Sequence, residues 1–221
     1  MTMARNGPQA GLEGEEAGRT AARKDNTPMP DIHSVAVFCG AQPGIDPACR
    51  AAAAELGAGL ARAGIRLVYG GGQVGLMGVV ADAAVAAGGR VVGVIPEFLT
   101  RWEVAHEGIS ELIVTDSMHT RKRRMFEMSD AFISLPGGLG TLDETIEIIT
   151  WRQLKLHDKP ILICNVAGAF DPLLATIEAI IAAGFARSEI RRLYEVVDGV
   201  EACMERLSTL ATAQGGASAL L

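Results

Sequence analysis

Two glycine-rich runs constrain this chain more than any other feature. Tyr69-Gly70-Gly71-Gly72-Gln73-Val74-Gly75-Leu76-Met77-Gly78 follows one short apolar segment, and Leu135-Pro136-Gly137-Gly138-Leu139-Gly140-Thr141-Leu142-Asp143-Glu144 follows another. Each leads straight into a stretch of helical character. Glycine there lets the backbone approach a neighbour or a ligand closely, and the start of the following helix offers N–H groups and a positive dipole end to an anion.

Around these runs, β-branched segments alternate with Ala-rich stretches, which is the βαβα pattern of a doubly wound sheet. The pattern predicts strands at 35–39, 66–69, 91–95, 111–114, 131–135, 160–164 and 194–197, with helices near 47–63, 76–87, 118–129, 141–156, 172–183 and 200–211. The expected fold is α/β: a single Rossmann-like, doubly wound domain over 32–212, with a mainly parallel sheet and helices on both faces. Residues 1–31 carry almost no bulky apolar side chains and read as a disordered tail, and 213–221 read as a frayed C-terminal tail. A hydrophobic content of 49% with only 5% aromatics suits helices packed closely on a buried parallel sheet.

Charge and cysteine usage exclude several classes. The net charge is -6 and the densest basic run is Arg121-Lys122-Arg123-Arg124, so a broad nucleic-acid face is not expected. The 4 cysteines (Cys39, Cys49, Cys164, Cys203) stand far apart with no CxxC, which suggests neither a disulfide framework nor a structural metal site. No apolar run reaches a membrane span, and no signal-peptide core precedes the domain, so a cytoplasmic protein is expected.

In open parallel sheets ligands bind beyond the carboxyl ends of the strands, which places both glycine runs in the binding region. Two anion-type loops suggest a phosphorylated nucleotide between them. Residues 70–75 also satisfy GxGxxG, leaving a dinucleotide oxidoreductase open, while no GxxxxGK[ST] supports a P-loop NTPase. A nucleotide or cofactor carrier without turnover is a third reading. Thr141 and Glu144 stand in the TxxE relation of a capping box, so spacing leaves Glu144 between capping and catalysis. Of the four consecutive cations, at most two can face a common site, because helical neighbours are about 100° apart.

The two glycine runs, with Met118-His119-Thr120-Arg121-Lys122 between them, resemble the LOG family of cytokinin riboside 5'-monophosphate phosphoribohydrolases. The family's PGGxGTxxE marker is present without departure, and the likeness extends from Val35 to Val197. It implies hydrolysis of the N-glycosidic bond of N6-modified adenosine 5'-monophosphates. It also implies a purine nucleoside monophosphate as substrate, no cofactor or metal, and a homodimer or larger assembly with sites near the subunit interface. Carried over residue by residue, it implies Arg121 and Glu144 as the catalytic pair, with substrate contacts from Glu103, Lys122, Gly138, Leu139, Gly140, Thr141, Leu142 and Asp143. From the first run, Gly70, Gly71, Gly72 and Gly75 join the binding candidates. Departures from the family pattern are Ala41 and Gln42, which replace two serines, then Thr120 in place of Glu, and Gly168-Ala169-Phe170 in place of Gly-Tyr-Tyr. These bear on substrate preference rather than on reaction type.

Overall fold

The computed structural model describes residues 32–100 and 105–217, with side chains to residue 210. The expected tail at 1–31 and the candidate Glu103 lie outside the described residues.

Seven short strands form one sheet: β1 (Ser34–Phe38), β2 (Arg66–Tyr69), β3 (Val91–Pro96), β4 (Glu111–Thr115), β5 (Ala131–Ser134), β6 (Ile161–Cys164) and β7 (Glu195–Val197), in the order β4-β3-β2-β1-β5-β6-β7. Every pairing between them is parallel. Six α-helices are described: α1 (Pro47–Arg62), α2 (Gly75–Ala86), α3 (Met118–Glu127), α4 (Leu139–Gln153), α5 (Asp171–Ala182) and α6 (Gly199–Ala217). The last runs past residue 213, where fraying was expected.

The strands read as continuous apolar runs because the sheet is covered on both faces. Val35, Val37, Leu67, Tyr69, Ala131 and Ile133 pack against α1, α2 and α6. The intervening Ala36, Phe38, Val68 and Phe132 pack against α3, α4 and α5. This two-residue alternation divides the core into two layers, as the pleat of a strand requires.

Strand order reverses at β1, which pairs with β2 on one side and β5 on the other. The chain leaves β1 into Cys39-Gly40 and β5 into Leu135-Pro136-Gly137, and the two exits are tied where Leu135 N–H donates to Phe38 O (2.9 Å) and Gly40 N–H to Pro136 O (3.1 Å). A crevice at this reversal is where an open α/β sheet receives its ligand.

Candidate active site

A cavity of about 580 Å³ opens at this reversal. Its wall is built from the segment after β1 (Cys39 to Asp46), the start of α4 (Gly137 to Thr141, with Asp143 and Glu144), Gly70 at the end of β2, and Arg121 and Met118 from α3.

The start of α4 determines what the cavity can hold. Gly138 is the N-cap, no side chain caps the helix, and the first intrahelical bond shown there runs from Leu142 N–H to Gly138 O at 3.1 Å. The N–H groups of Leu139, Gly140 and Thr141 are thus available to an anion at the positive end of the helix. A side chain on Gly138 or Gly140 would meet no protein atom within 4 Å, so packing does not explain glycine at either position. Gly137 differs, since a Cβ there would lie 2.1 Å from Thr141 Oγ1.

Because α4 starts at Leu139, Thr141 is the third residue of the helix rather than its cap, and the capping-box reading of Glu144 does not hold. Glu144 lies one turn further in, 9% exposed, with Oε1 3.7 Å from Arg121 Nη1. Arg121 is 6% exposed and fixed to the sheet, where Nε donates to Val94 O (3.0 Å) and Nη2 to Gly70 O (3.4 Å). A Cβ on Gly70 would sit 2.3 Å from Nη2, so this glycine makes room for the guanidinium. Beneath the helix start, Ser134, Thr145 and the Thr141 carbonyl form a buried hydrogen-bonded chain of 2.7 Å contacts that holds α4 on β5.

The rest of the first glycine run does other work. Leu76 and Met77 N–H, at the start of α2, both donate to Gly40 O (2.9 and 3.3 Å). That carbonyl takes up two of the N–H groups a pyrophosphate would need at this helix start, and the run follows β2 rather than β1. Gly71 (φ +80°) packs on Ile95 and Leu112, Gly72 bridges to Ala105, and Gly75 (φ +62°) lies where a Cβ would come within 2.3 Å of the Ala41 backbone. None of the three, all expected near a ligand, is on the cavity wall: Gly71 packs against strands β3 and β4, and Gly72 and Gly75 against loop backbone.

Among the other candidates, Leu139 stands at the mouth, 85% exposed. Leu142 packs into the α3–α5 layer and is not on the wall. Lys122 also turns away from the cavity, with Nζ 2.6 Å from Asp143 Oδ2 and 3.3 Å from Glu147 Oε2. Burial alone would lower its pKa, but the two carboxylates outweigh this and hold the ammonium above the ordinary lysine value. Arg123 and Arg124 are exposed. Trp151 and His157, both half-buried, pack edge-on against Phe126 (5.1 and 5.2 Å), away from the cavity wall.

Sequence reasoning missed Cys39, Cys49, Met77 and Met118 on the wall, and Asp46, which caps α1 by accepting from Ala48 N–H at 2.8 Å. The Asp46-Pro47 pair is a legible helix-start signal, whereas the apolar wall residues carry none. Burial first, then the Glu144 carboxylate, push the Cys39 thiol far above its ordinary value, with Arg121 only partly opposing them, which favours the protonated thiol.

A doubly wound parallel sheet with an open helix start and a buried Arg–Glu pair at its reversal point defines a Rossmann-like protein whose crevice sets free backbone N–H groups beside a carboxylate. Residues 77–207 match the family described as "Possible lysine decarboxylase". The chain is 48% identical over 159 residues to "Probable cytokinin riboside 5'-monophosphate phosphoribohydrolase LOGL5" of Oryza sativa subsp. japonica, an alignment covering 72% of this chain and 65% of that one. It is 47% identical over 173 residues to "Cytokinin riboside 5'-monophosphate phosphoribohydrolase" of Rhodococcoides fascians, covering 78% of this chain and 87% of that one. The chain belongs to this family, the LOG family. The molybdenum cofactor binding protein of Rippkaea orientalis shares the fold, at a TM-score of 0.62 and 24% identity over 80% of this chain and 96% of that one.

Proposed function

We propose that this protein hydrolyses the N-glycosidic bond of N6-modified adenosine 5'-monophosphates, releasing the free base and ribose 5-phosphate. The observation that carries the reading is the buried Arg121–Glu144 pair, 3.7 Å apart, one helical turn beyond an open, glycine-lined helix start. The names of the relatives support the same chemistry.

Cleavage develops positive charge at the anomeric carbon, and a carboxylate held close in a buried site stabilises that charge. Glu144 supplies it and accepts a proton from the attacking water. The water oxygen bonds to C1', the C1'–N bond breaks with its electron pair passing to the base, and the base takes up a proton. The phosphate lies on the N–H groups of Leu139, Gly140 and Thr141, one turn away from Glu144. Arg121 orients the carboxylate and balances its charge. Ala41 and Gln42 leave the first loop without a hydroxyl for the nucleotide, so its contribution is the backbone of Gly40 to Gly44 and the apolar Pro43 and Ile45 at the rim. The protein acts as a homodimer or larger assembly, and size-exclusion chromatography with light scattering tests that.

The activity test offers N6-isopentenyl-AMP, AMP and the unphosphorylated riboside, with the released base read by chromatography. Base from a monophosphate, with none from the riboside, is the expected result. Silence on all three with nucleotide binding still measurable would move the reading to a nucleotide carrier.

A further inference from the structure

We propose that Lys122 is a positioning residue: its ammonium neutralises Asp143 and Glu147, and so keeps Glu144 ionised and turned toward Arg121. This rests on the reading of Glu144 as the catalytic carboxylate.

Three carboxylates, Asp143, Glu144 and Glu147, fall within a little over one turn of α4. Residues three and four apart on a helix are surface neighbours, and like charges at those spacings repel. Left to themselves, Asp143 and Glu147 would raise the pKa of Glu144 and push its carboxylate away from the crowded face. The titratable and charged groups about Glu144 among the described residues include Arg121 and Lys122 from α3, the Cys39 thiol from the end of β1, and its own neighbours Asp143 and Glu147. Arg121 carries one charge against three carboxylates, and its bonds to the Val94 and Gly70 carbonyls fix it where it meets Glu144.

Lys122 is placed to supply the missing charge. Its side chain is 15% exposed, it reaches both Asp143 and Glu147, and it shares the wall of a small void with Glu144 and Glu147. It is absent from the wall of the main cavity. The substrate contact implied by the family resemblance therefore does not match where its ammonium lies. Two adjacent α3 cations divide the work: Arg121 faces Glu144, and Lys122 takes the two flanking carboxylates.

The test titrates Glu144 directly in the full-length protein, by NMR of chains labelled with 13C at the glutamate carboxyl carbon, with Glu144→Gln assigning the resonance. Lys122→Met is expected to raise the Glu144 midpoint by about one pH unit, and Lys122→Arg to leave it near the wild-type value. Glu147→Gln alone is expected to lower it, and Lys122→Met/Glu147→Gln to bring it back toward wild type. In parallel, the acid limb of kcat/KM against pH for N6-isopentenyl-AMP follows the same shift while KM stays nearly constant. A Glu144 midpoint unmoved in Lys122→Met overturns the proposal. So does a KM raised about tenfold at every pH with the acid limb in place, because Lys122 would then touch the substrate. Should Lys122→Met fail to fold, Glu147→Gln decides, and an unchanged midpoint there overturns the proposal. A Glu144 that titrates as expected in a protein releasing no base would sink the catalytic reading alone and leave the coupling to Lys122 standing.

Discussion

Nη1 of Arg121 stands 3.7 Å from Oε1 of Glu144, and both side chains are nearly sealed from solvent although they come from different helices. The arginine is the fixed partner, bonded through Nε to Val94 O on β3, and the glutamate is brought to it by the placement of α4. Glu144→Gln keeps the shape of the side chain and removes the charge that the developing cation at C1' requires. Base release from N6-isopentenyl-AMP is expected to fall by about 10²- to 10⁴-fold in kcat, with the affinity for the monophosphate largely kept. Single-turnover chromatography and titration calorimetry read the two quantities separately. An affinity lost in step with kcat would place Glu144 in binding rather than in chemistry.

The same pair makes a stability prediction. Arg121→Met removes the cation that Glu144 meets at 3.7 Å in a buried site, together with a donor to the Val94 carbonyl, at a cost of about 3–5 kcal/mol. Removing both charges in Arg121→Met/Glu144→Gln leaves no buried carboxylate deprived of this cation, so the double variant is expected to be more stable than the sum of the single changes predicts. Urea denaturation of the four proteins completes the cycle. Strict additivity would mean that the two side chains do not interact in the folded state.

Much of this was legible in the sequence. Strand positions followed from the β-branched runs because both faces of a parallel sheet are buried, and PGGxGTxxE marked the helix start that frames the cavity. The resemblance implied a substrate contact from Lys122, whose side chain lies off the cavity wall next to Arg121 on it, because adjacent side chains on a helix diverge by about 100°. The TxxE spacing of Thr141 and Glu144 mimicked a capping box, since spacing does not reveal which residue opens the helix. The glycines of the first run were legible as close approach but not as approach to what: Gly71, Gly72 and Gly75 meet the protein's own backbone and side chains. The apolar wall residues Cys39, Met77 and Met118 carry no sequence signal because each is equally at home in a core.

Glycines on the cavity wall divide into two kinds with opposite expected outcomes. Gly70→Ala would drive a methyl group to 2.3 Å from Arg121 Nη2 and 2.9 Å from Met77 Sδ, displacing the guanidinium. Base release is expected to drop together with thermal stability. Gly138→Ala meets no protein atom within 4 Å and has φ of -92°, which alanine adopts freely, so the melting temperature is expected to hold. A methyl group at this N-cap would still crowd a phosphate seated on the helix start. Monophosphate affinity is therefore expected to weaken about tenfold or more while folding is unaffected. Unchanged phosphate affinity in Gly138→Ala would put the anion elsewhere.

His157 gives the fold a dependence on pH that is separate from catalysis. Its Nε2 lies 2.9 Å from Ile148 O, where it donates, while its buried Nδ1 has no hydrogen-bond partner among the described residues. A proton on Nδ1 would be buried unpaired, and burial holds the ring's pKa below the ordinary 6.5, the Ile148 carbonyl opposing this only in part. The unfolded chain therefore binds this proton at a higher pH than the folded protein does. The stability it contributes is fully present above about pH 6.5 and is lost as the pH falls below that value. Glu178 and Glu195 are held below the ordinary carboxylate value by hydrogen bonds from Arg191 and Arg206, so their contributions fade only in more acidic solution. Melting temperatures measured between pH 8 and pH 5 should fall more steeply for the wild-type protein than for His157→Gln, which keeps a donor for the Ile148 carbonyl but cannot take up a proton. Parallel curves for the two proteins would show that His157 accepts its proton in the folded state as readily as in the unfolded chain.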